Sequence, residues 1–285
     1  MQLGDLFQTK ECVLALEVFP PKQISNVAVL HRALAKMAEL PIDYISVTCG
    51  AGGSGARGYT ADIARHIKEN FGIEPLAHLT CVGTTAAEAA EEFALLREAG
   101  IGNILALRGD RTPGAATTDF THASDLMQAV SAEGGFYIAG ACYPEGHPES
   151  ASLAADIDTL KMKVQAGAGH LVSQLFFDNG KFFRFLNLAR KKGVNCPIEA
   201  GVMPVVRTEQ IERIVSLSSA SLPSSFSKIV SRYAGDKEGF YEAGIDYAVR
   251  QIRDLVESGV DGIHLYAMNN ADVARRVQEG VADLF

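Results

Sequence analysis

The chain has 285 residues, 47% of them hydrophobic and 21% charged, a globular composition long enough to bury a core without disulfide or metal staples. Its 26 Lys and Arg against 34 Asp and Glu leave a formal net charge of -8, which argues against a nucleic-acid binder. No run of about 18 apolar residues marks a membrane span, the start MQLGDLFQTKE lacks the pattern of a secretory leader, and five scattered cysteines with no CxxC pair read as reduced thiols of a cytoplasmic protein.

In chain order, apolar runs rich in β-branched residues alternate with helical patterns. The run Leu14–Phe19 precedes a helix over Val27–Glu39, where Val27, Leu30, Leu34 and Met37 share one face. Tyr44–Thr48 precedes a helix over Thr60–Asn70. Pro75–Thr80 precedes Thr85–Ala99, which opens with the Thr85 and Glu88 spacing of a capping box. Asn103–Leu107 leads to Ala123–Ala132, Tyr137–Cys142 to Ser150–Ala166, and Leu171–Phe176 to Lys181–Lys192. Pro197–Val202 is followed by helices over Thr208–Leu217 and Gly239–Glu257, with Ser216–Ser227 between them as a Ser-rich loop. The eighth strand is Gly262–Tyr266. Gly72, Gly100, Gly167, Gly193 and Gly259 stand just past helices, as C-cap glycines do. Eight βα units predict a (β/α)8 barrel as a single domain over residues 1–285, with a doubly wound sheet as the alternative.

In such a barrel, chemistry sits at the C-terminal ends of the strands. Polar residues fall there repeatedly: Glu17, Thr48, His78 with Thr80, Arg108-Gly109-Asp110, Tyr143 with His147, Gln174, and Tyr266 with Asn269 and Asn270 beyond it. Glu17 interrupts the apolar run Leu14-Ala15-Leu16-Glu17-Val18-Phe19. Desolvation disfavours the charged form of a carboxyl, which fits it to donate a proton near neutral pH. The structural alternative is a buried glutamate paired with an arginine. Arg108 suits a phosphate or an anionic ring position, and Gln174 needs hydrogen-bond partners that a ligand or a neighbouring backbone can supply.

Gly50-Ala51-Gly52-Gly53-Ser54-Gly55 matches the GxGxxG pattern of dinucleotide loops. The helix after it starts too late for the third glycine, and Glu74 opens a strand where the ribose-binding acid should end one. A loop over a barrel mouth fits better. No HExxH, EF-hand or P-loop pattern is present, and the seven histidines lack ligand spacing, so no metal site is expected.

The motifs Glu17-Val18-Phe19-Pro20-Pro21, Ser46-Val47-Thr48, His78-Leu79-Thr80-Cys81, Leu107-Arg108-Gly109-Asp110, Tyr143-Pro144-Glu145-Gly146-His147-Pro148 and Gln174-Leu175-Phe176-Phe177-Asp178 occur in order. Gly201-Val202-Met203-Pro204-Val205 and His264-Leu265-Tyr266 complete the set, which resembles methylenetetrahydrofolate reductase from about Glu17 to Asn270. The resemblance implies a barrel with non-covalent FAD, reduced by NAD(P)H, that passes hydride to 5,10-methylenetetrahydrofolate and forms 5-methyltetrahydrofolate. It implies Glu17 as general acid, Asp110 as the group steadying the folate iminium, and Gln174 as a contact to both substrates. Thr48 and Gln210 become further substrate contacts. For FAD it points to Ala51, His78, Arg108, Gly109, Asp110, Ala123, Tyr143, His147, Asp156 and Lys163. It also implies a cytoplasmic homo-oligomer without the C-terminal regulatory domain of animal members. Cys49, Met162, Ile214 and Asn270 depart from familiar family residues, a pattern compatible with an accessory subunit. The competing chemistry is a flavin-free, pterin-binding methyltransferase barrel.

Overall fold

The computed structural model describes residues 1–21, 26–49, 59–110, 119–218 and 220–285. Eight parallel strands close on themselves in sequence order. They are β1 Val13–Val18, β2 Tyr44–Val47, β3 Glu74–Thr80, β4 Asn103–Leu107, β5 Tyr137–Cys142, β6 Ala168–Ser173, β7 Ile198–Val202 and β8 Gly262–Leu265. Closure is made by β8 against β1, with Val13 opposite Gly262 and Ala15 opposite His264. The expected (β/α)8 barrel is therefore what forms, and no doubly wound sheet is present. Among the described residues no helix is long and apolar enough to cross a membrane.

A short helix, α1 (Leu6–Thr9), follows a turn at the floor of the barrel. Then come α2 (Val27–Met37), α3 (Tyr59–Phe71), α4 (Ala86–Glu98), α5 (Ala123–Glu133), α6 (Leu153–Gln165) and α7 (Asn179–Lys191), each carrying the chain to the next strand. The Thr85 capping box is real: Glu88 N–H donates to Thr85 Oγ1 at 3.2 Å, and Thr85 N–H donates to the Glu88 carboxylate at 2.8 Å. The five glycines expected past helix ends all have positive φ.

The link from β7 to β8 holds more structure than its Ser-rich sequence predicts. It contains α8 (Glu209–Ser218), α9 (Ser224–Arg232) and α10 (Lys237–Glu257). Part of the stretch expected as loop is thus the start of α9, which buries Phe226 against Phe177 and Tyr247, with ring centroids 5.0 Å away in each case. Polar outward residues masked one apolar anchor. The last helix, α11 (Ala271–Val281), was not anticipated from sequence.

β6 also corrects an expectation. It ends at Ser173, before Gln174, short of the Phe176 end that the apolar run predicts. Phe176 leaves the barrel to stack on Phe182 at 4.7 Å, while Phe177 joins the cluster under α9. The run is apolar because it serves two cores beyond the strand.

Two packed layers result. Outward strand residues and the inner helix faces form the large core, including Leu14, Leu16, Ile45, Phe182 and Ile252. Inside the barrel, Leu3, Val13, Ala15, Tyr44, Leu76, Leu105, Ala139 and Val172 fill the lower layers. Leu3 plugs the floor, with its N–H donating to Asn103 Oδ1 at 2.9 Å. That interior is unusually polar for a barrel, because Ser46, His78, His170, Glu199 and His264 are buried as well.

Candidate functional site

At the C-terminal ends of the strands a cavity of about 310 Å³ opens, lined by Glu17, Thr48, Cys49, His78, Thr80, Tyr143, Gln174 and Tyr266 among others. A second cavity of about 230 Å³ adjoins it, lined by Arg108, Ala123, Tyr143, His147, Asp156 and Lys163 among others. Both share Leu107, Ala141 and Tyr143 as a common wall. The fold therefore gathers most of the residues picked out from sequence into two joined chambers. One holds the acid Glu17 and the carboxamide of Gln174, and the other holds the cations Arg108 and Lys163 alongside Glu149 and Asp156.

Glu17 projects inward from β1, its side chain 18% exposed. Its Oε2 lies 3.8 Å from His78 Nε2 and 3.7 Å from His264 Nε2. The alternative of a structural arginine partner is not met, because its ionisable neighbours among the described residues are these two imidazoles. Burial drives His78 down to about 4 against the pull of Glu17, so its ring is neutral, and it contacts Ser46 Oγ at 2.5 Å. The end of β1 is clamped next to Glu17. Asn269 accepts from Phe19 N–H at 3.0 Å and donates to Phe19 O at 2.8 Å. Met268 and Asn269 adopt φ of 54° and 56° to do so, an uncommon conformation for non-glycine residues that concentrates at functional sites.

Gln174 follows β6, and its N–H still bonds Cys142 O at 2.8 Å, which holds it at the mouth. Its Oε1 accepts from Leu175 N–H at 2.9 Å, leaving the amide NH2 to donate. Cys49 donates to His78 O at 2.7 Å, and burial pushes its thiol up to about 12, so it stays protonated. Thr48 lines the same chamber.

In the second chamber Lys163 donates to Ala141 O at 2.6 Å, and burial lowers its pKa. A cation held in poor solvation against a neutral carbonyl favours an anionic ligand. Arg108 forms a bidentate pair with Glu149, at 2.5 and 2.8 Å. Tyr143 and His147 meet edge to face at 4.8 Å. Asp156 is buried and organises the loop between them, accepting from His147 N–H at 3.1 Å and from Ser150 Oγ at 3.0 Å. It lines the chamber as well.

The remaining expected residues scatter. Gly109 turns the chain after β4 with φ of 85°, and Asp110 is exposed at the rim. Gln210 lines neither chamber, and its carboxamide oxygen accepts from Val206 N–H at 3.1 Å and Arg207 N–H at 2.9 Å. Ala51 and the Gly-rich loop Gly50–Gly55 lie outside the described residues. Among the departures, Asn270 caps α11 by accepting from Asp272 and Val273 N–H, and Ile214 is buried in the cluster under α9.

Sequence reading missed the polar floor of the first chamber. Tyr44 donates to Glu199 Oε2 at 2.5 Å, and His264 and His170 flank the same carboxylate at 3.5 and 3.6 Å. The signal was available, since Glu199 interrupts an apolar strand as Glu17 does. No metal-binding cluster occurs among the described residues.

The sequence profile of the family described as methylenetetrahydrofolate reductase matches residues 2–281. The 5,10-methylenetetrahydrofolate reductase of Escherichia coli is 32% identical over 261 residues, covering 92% of this chain and 88% of that protein. Methylenetetrahydrofolate reductase (NADH) 1 of Zea mays is 32% identical over 271 residues, 90% of this chain and 46% of the maize protein. Among solved structures, a Clostridium thermocellum protein described as binding two copies of 5-methyl-5,6,7,8-tetrahydrofolic acid superposes with a TM-score of 0.66. It covers 99% of this chain and 100% of its own at 14% identity, a likeness of fold alone.

Proposed function

This chain belongs to the methylenetetrahydrofolate reductase family and has its reductase activity, and from that premise we propose that it binds FAD across the two joined chambers and uses NAD(P)H to reduce 5,10-methylenetetrahydrofolate to 5-methyltetrahydrofolate. The observation that carries the proposal is the adjacency of an acid-bearing chamber, with Glu17, Thr48 and Gln174, to a cation-bearing one, with Arg108 and Lys163, through a shared wall.

The residues fit a flavin dinucleotide on chemical grounds. A pyrophosphate would meet the Lys163 ammonium, whose protein partner is a neutral carbonyl, and the Arg108 guanidinium, which would exchange Glu149 for phosphate. The aromatic face of Tyr143 borders both chambers, where a ring system would cross. When bound, the flavin supplies hydride transfer from the nicotinamide to the one-carbon unit.

The chain's own residues supply proton transfer and charge stabilisation. Glu17 gives its proton to a folate nitrogen, the carboxyl O–H breaking as the N–H forms, and the five-membered ring opens to an iminium. Asp110 at the rim hydrogen-bonds the pterin and offsets the positive charge of that iminium. Gln174 donates from its free amide end, and Thr48 offers a hydroxyl on the facing wall. Neutral His78 supports Glu17 without adding charge.

The test is the visible spectrum of the purified protein, followed without oxygen as NADH and NADPH are added separately. A flavin spectrum that one nucleotide bleaches, and that methylenetetrahydrofolate restores, is expected. Glu17→Gln should still bleach with the nucleotide but fail to recover with folate. A colourless protein that takes up no FAD would overturn the proposal in favour of a flavin-free pterin-binding barrel.

A further inference from the structure

Below Glu17 lies a set of buried ionisable groups that the reaction above does not use. His264 is fully buried in β8, and Glu199 is fully buried in β7. The His264 ring stands between two carboxylates: Nε2 is 3.7 Å from Glu17 Oε2, and Nδ1 is 3.5 Å from Glu199 Oε2. Tyr44 fixes Glu199 from below at 2.5 Å and lies 3.3 Å from His264 Nδ1. Gly262 leaves room for this carboxylate, since a Cβ there would sit 3.0 Å from Glu199 Cγ.

Such an arrangement costs stability. A barrel interior is ordinarily filled by branched apolar residues, and a buried ion pair is often no better than its hydrophobic replacement. Neither Glu199 Oε1 nor His264 Nε2 has a hydrogen-bond partner among the described residues. An imidazole that faces acceptors through both nitrogens is best satisfied as imidazolium, with a proton on each.

We propose that His264, held by Glu199, is the proton store that loads Glu17 for the folate step, the two acting as positioning residues through the acid. Its place in the reaction rests on the functional reading above. Bound folate excludes water from the mouth, and a low-dielectric site favours a neutral acid beside a neutral imidazole over separated charges. The Nε2–H bond of His264 then breaks as an O–H bond forms on Glu17, and His264 keeps its Nδ1 proton facing Glu199. Glu17 passes its new proton to the folate nitrogen. Solvent returns one proton to the pair through the partly open mouth, matching the one proton that the reduction consumes. Burial opposes a charged His264, but Glu17 and Glu199 outweigh it and raise its pKa to about 9. The groups facing the ring are Glu17 on β1, Tyr44 on β2, Glu199 on β7 and Tyr266 beyond β8, with His78 across Glu17 and His170 across Glu199.

Two measurements test it. In the full chain labelled with 15N-histidine, His264→Asn assigns the His264 signals, and a pH titration needs no substrate. His264 should be doubly protonated at neutral pH, and Glu199→Gln should lower its midpoint by at least ~1 unit. In the holoenzyme, the alkaline limb of kcat for folate reduction should fall by a similar interval in Glu199→Gln and return in Glu199→Asp. The nucleotide half-reaction should keep its profile, because it draws no proton from Glu17. A neutral His264 at pH 7 in the parent overturns the proposal, as does a Glu199→Gln enzyme with an unshifted limb. If Glu199→Gln fails to fold, Glu17→Gln must lower the His264 midpoint, and failure to do so is equally fatal. A parent protein that reduces no methylenetetrahydrofolate overturns the functional reading, and the proton-store role falls with it.

Discussion

Replacing Gly201 by alanine probes how the barrel shapes its mouth. Gly201 lies in β7, paired with His264 of β8. An added Cβ would overlap the Ser173 carbonyl oxygen and sit 2.7 Å from the Tyr266 ring. Neither neighbour is free to yield. The Ser173 carbonyl accepts the Tyr266 hydroxyl at 2.7 Å, and Ser173 Oγ accepts Gly201 N–H at 2.8 Å. Relief requires either parting β6 from β7 or swinging Tyr266 into the chamber it lines. Overpacking of this kind costs about 1–3 kcal/mol, or a Tm drop of roughly 2–5 °C for a domain of this size. Gln174 follows Ser173 directly, so the shift reaches a residue proposed to contact substrate, where a displacement of ~1 Å costs up to ~100-fold in rate. Thermal melting by circular dichroism and kcat for folate reduction measure the two effects. Tyr266→Phe is the control, losing one hydrogen bond worth about 1 kcal/mol with no added bulk. A Gly201→Ala protein within ~1 °C and ~2-fold of the parent would refute the reasoning, because the clash would then have been absorbed without cost.

Two further outcomes are expected. Lys163→Met should raise the FAD dissociation constant at least ~10-fold, equivalent to about 1.4 kcal/mol, as read from flavin fluorescence on titration, and unchanged affinity would remove the ammonium from the pyrophosphate site. The folded pKa of His264 is raised from 6.5 to about 9, so its stabilisation is fully present below pH 6.5 and lost as pH rises through 9. Glu199 runs the other way: burial pushes it up, His170 and His264 outweigh that, and its folded value of about 2 gives stability above pH 4.5 that is lost as pH falls toward 2. Unfolding free energy should therefore plateau between pH 4.5 and 6.5 and decline by up to ~3 kcal/mol toward pH 9. Denaturant melts across that range check it, and a Glu199→Gln protein with the same alkaline decline would detach the effect from this pair.

Local patterns in the sequence determined the barrel. Near-continuous apolar runs, helices of 3.6-residue period, the Thr85 capping box and glycines past helix ends are properties of neighbouring residues, and each formed almost where expected. Because barrel chemistry collects at one end of the strands, the candidate residues Glu17, Thr48, His78, Tyr143 and Gln174 could also be read from their positions in chain order. Tertiary structure alone decided what surrounds them. Glu17 finds two imidazoles where an arginine was the structural alternative, Asp156 scaffolds a loop, and Gln210 braces the turn after β7. The Ser-rich stretch hides a helix because one phenylalanine, Phe226, finds its aromatic partners far along the chain. The line from Glu17 through His264 to Glu199 joins the first, seventh and eighth strands. Glu17 stands 182 residues before Glu199 and 247 before His264, yet the three adjoin where the barrel closes, and no local period encodes a contact that closure itself creates.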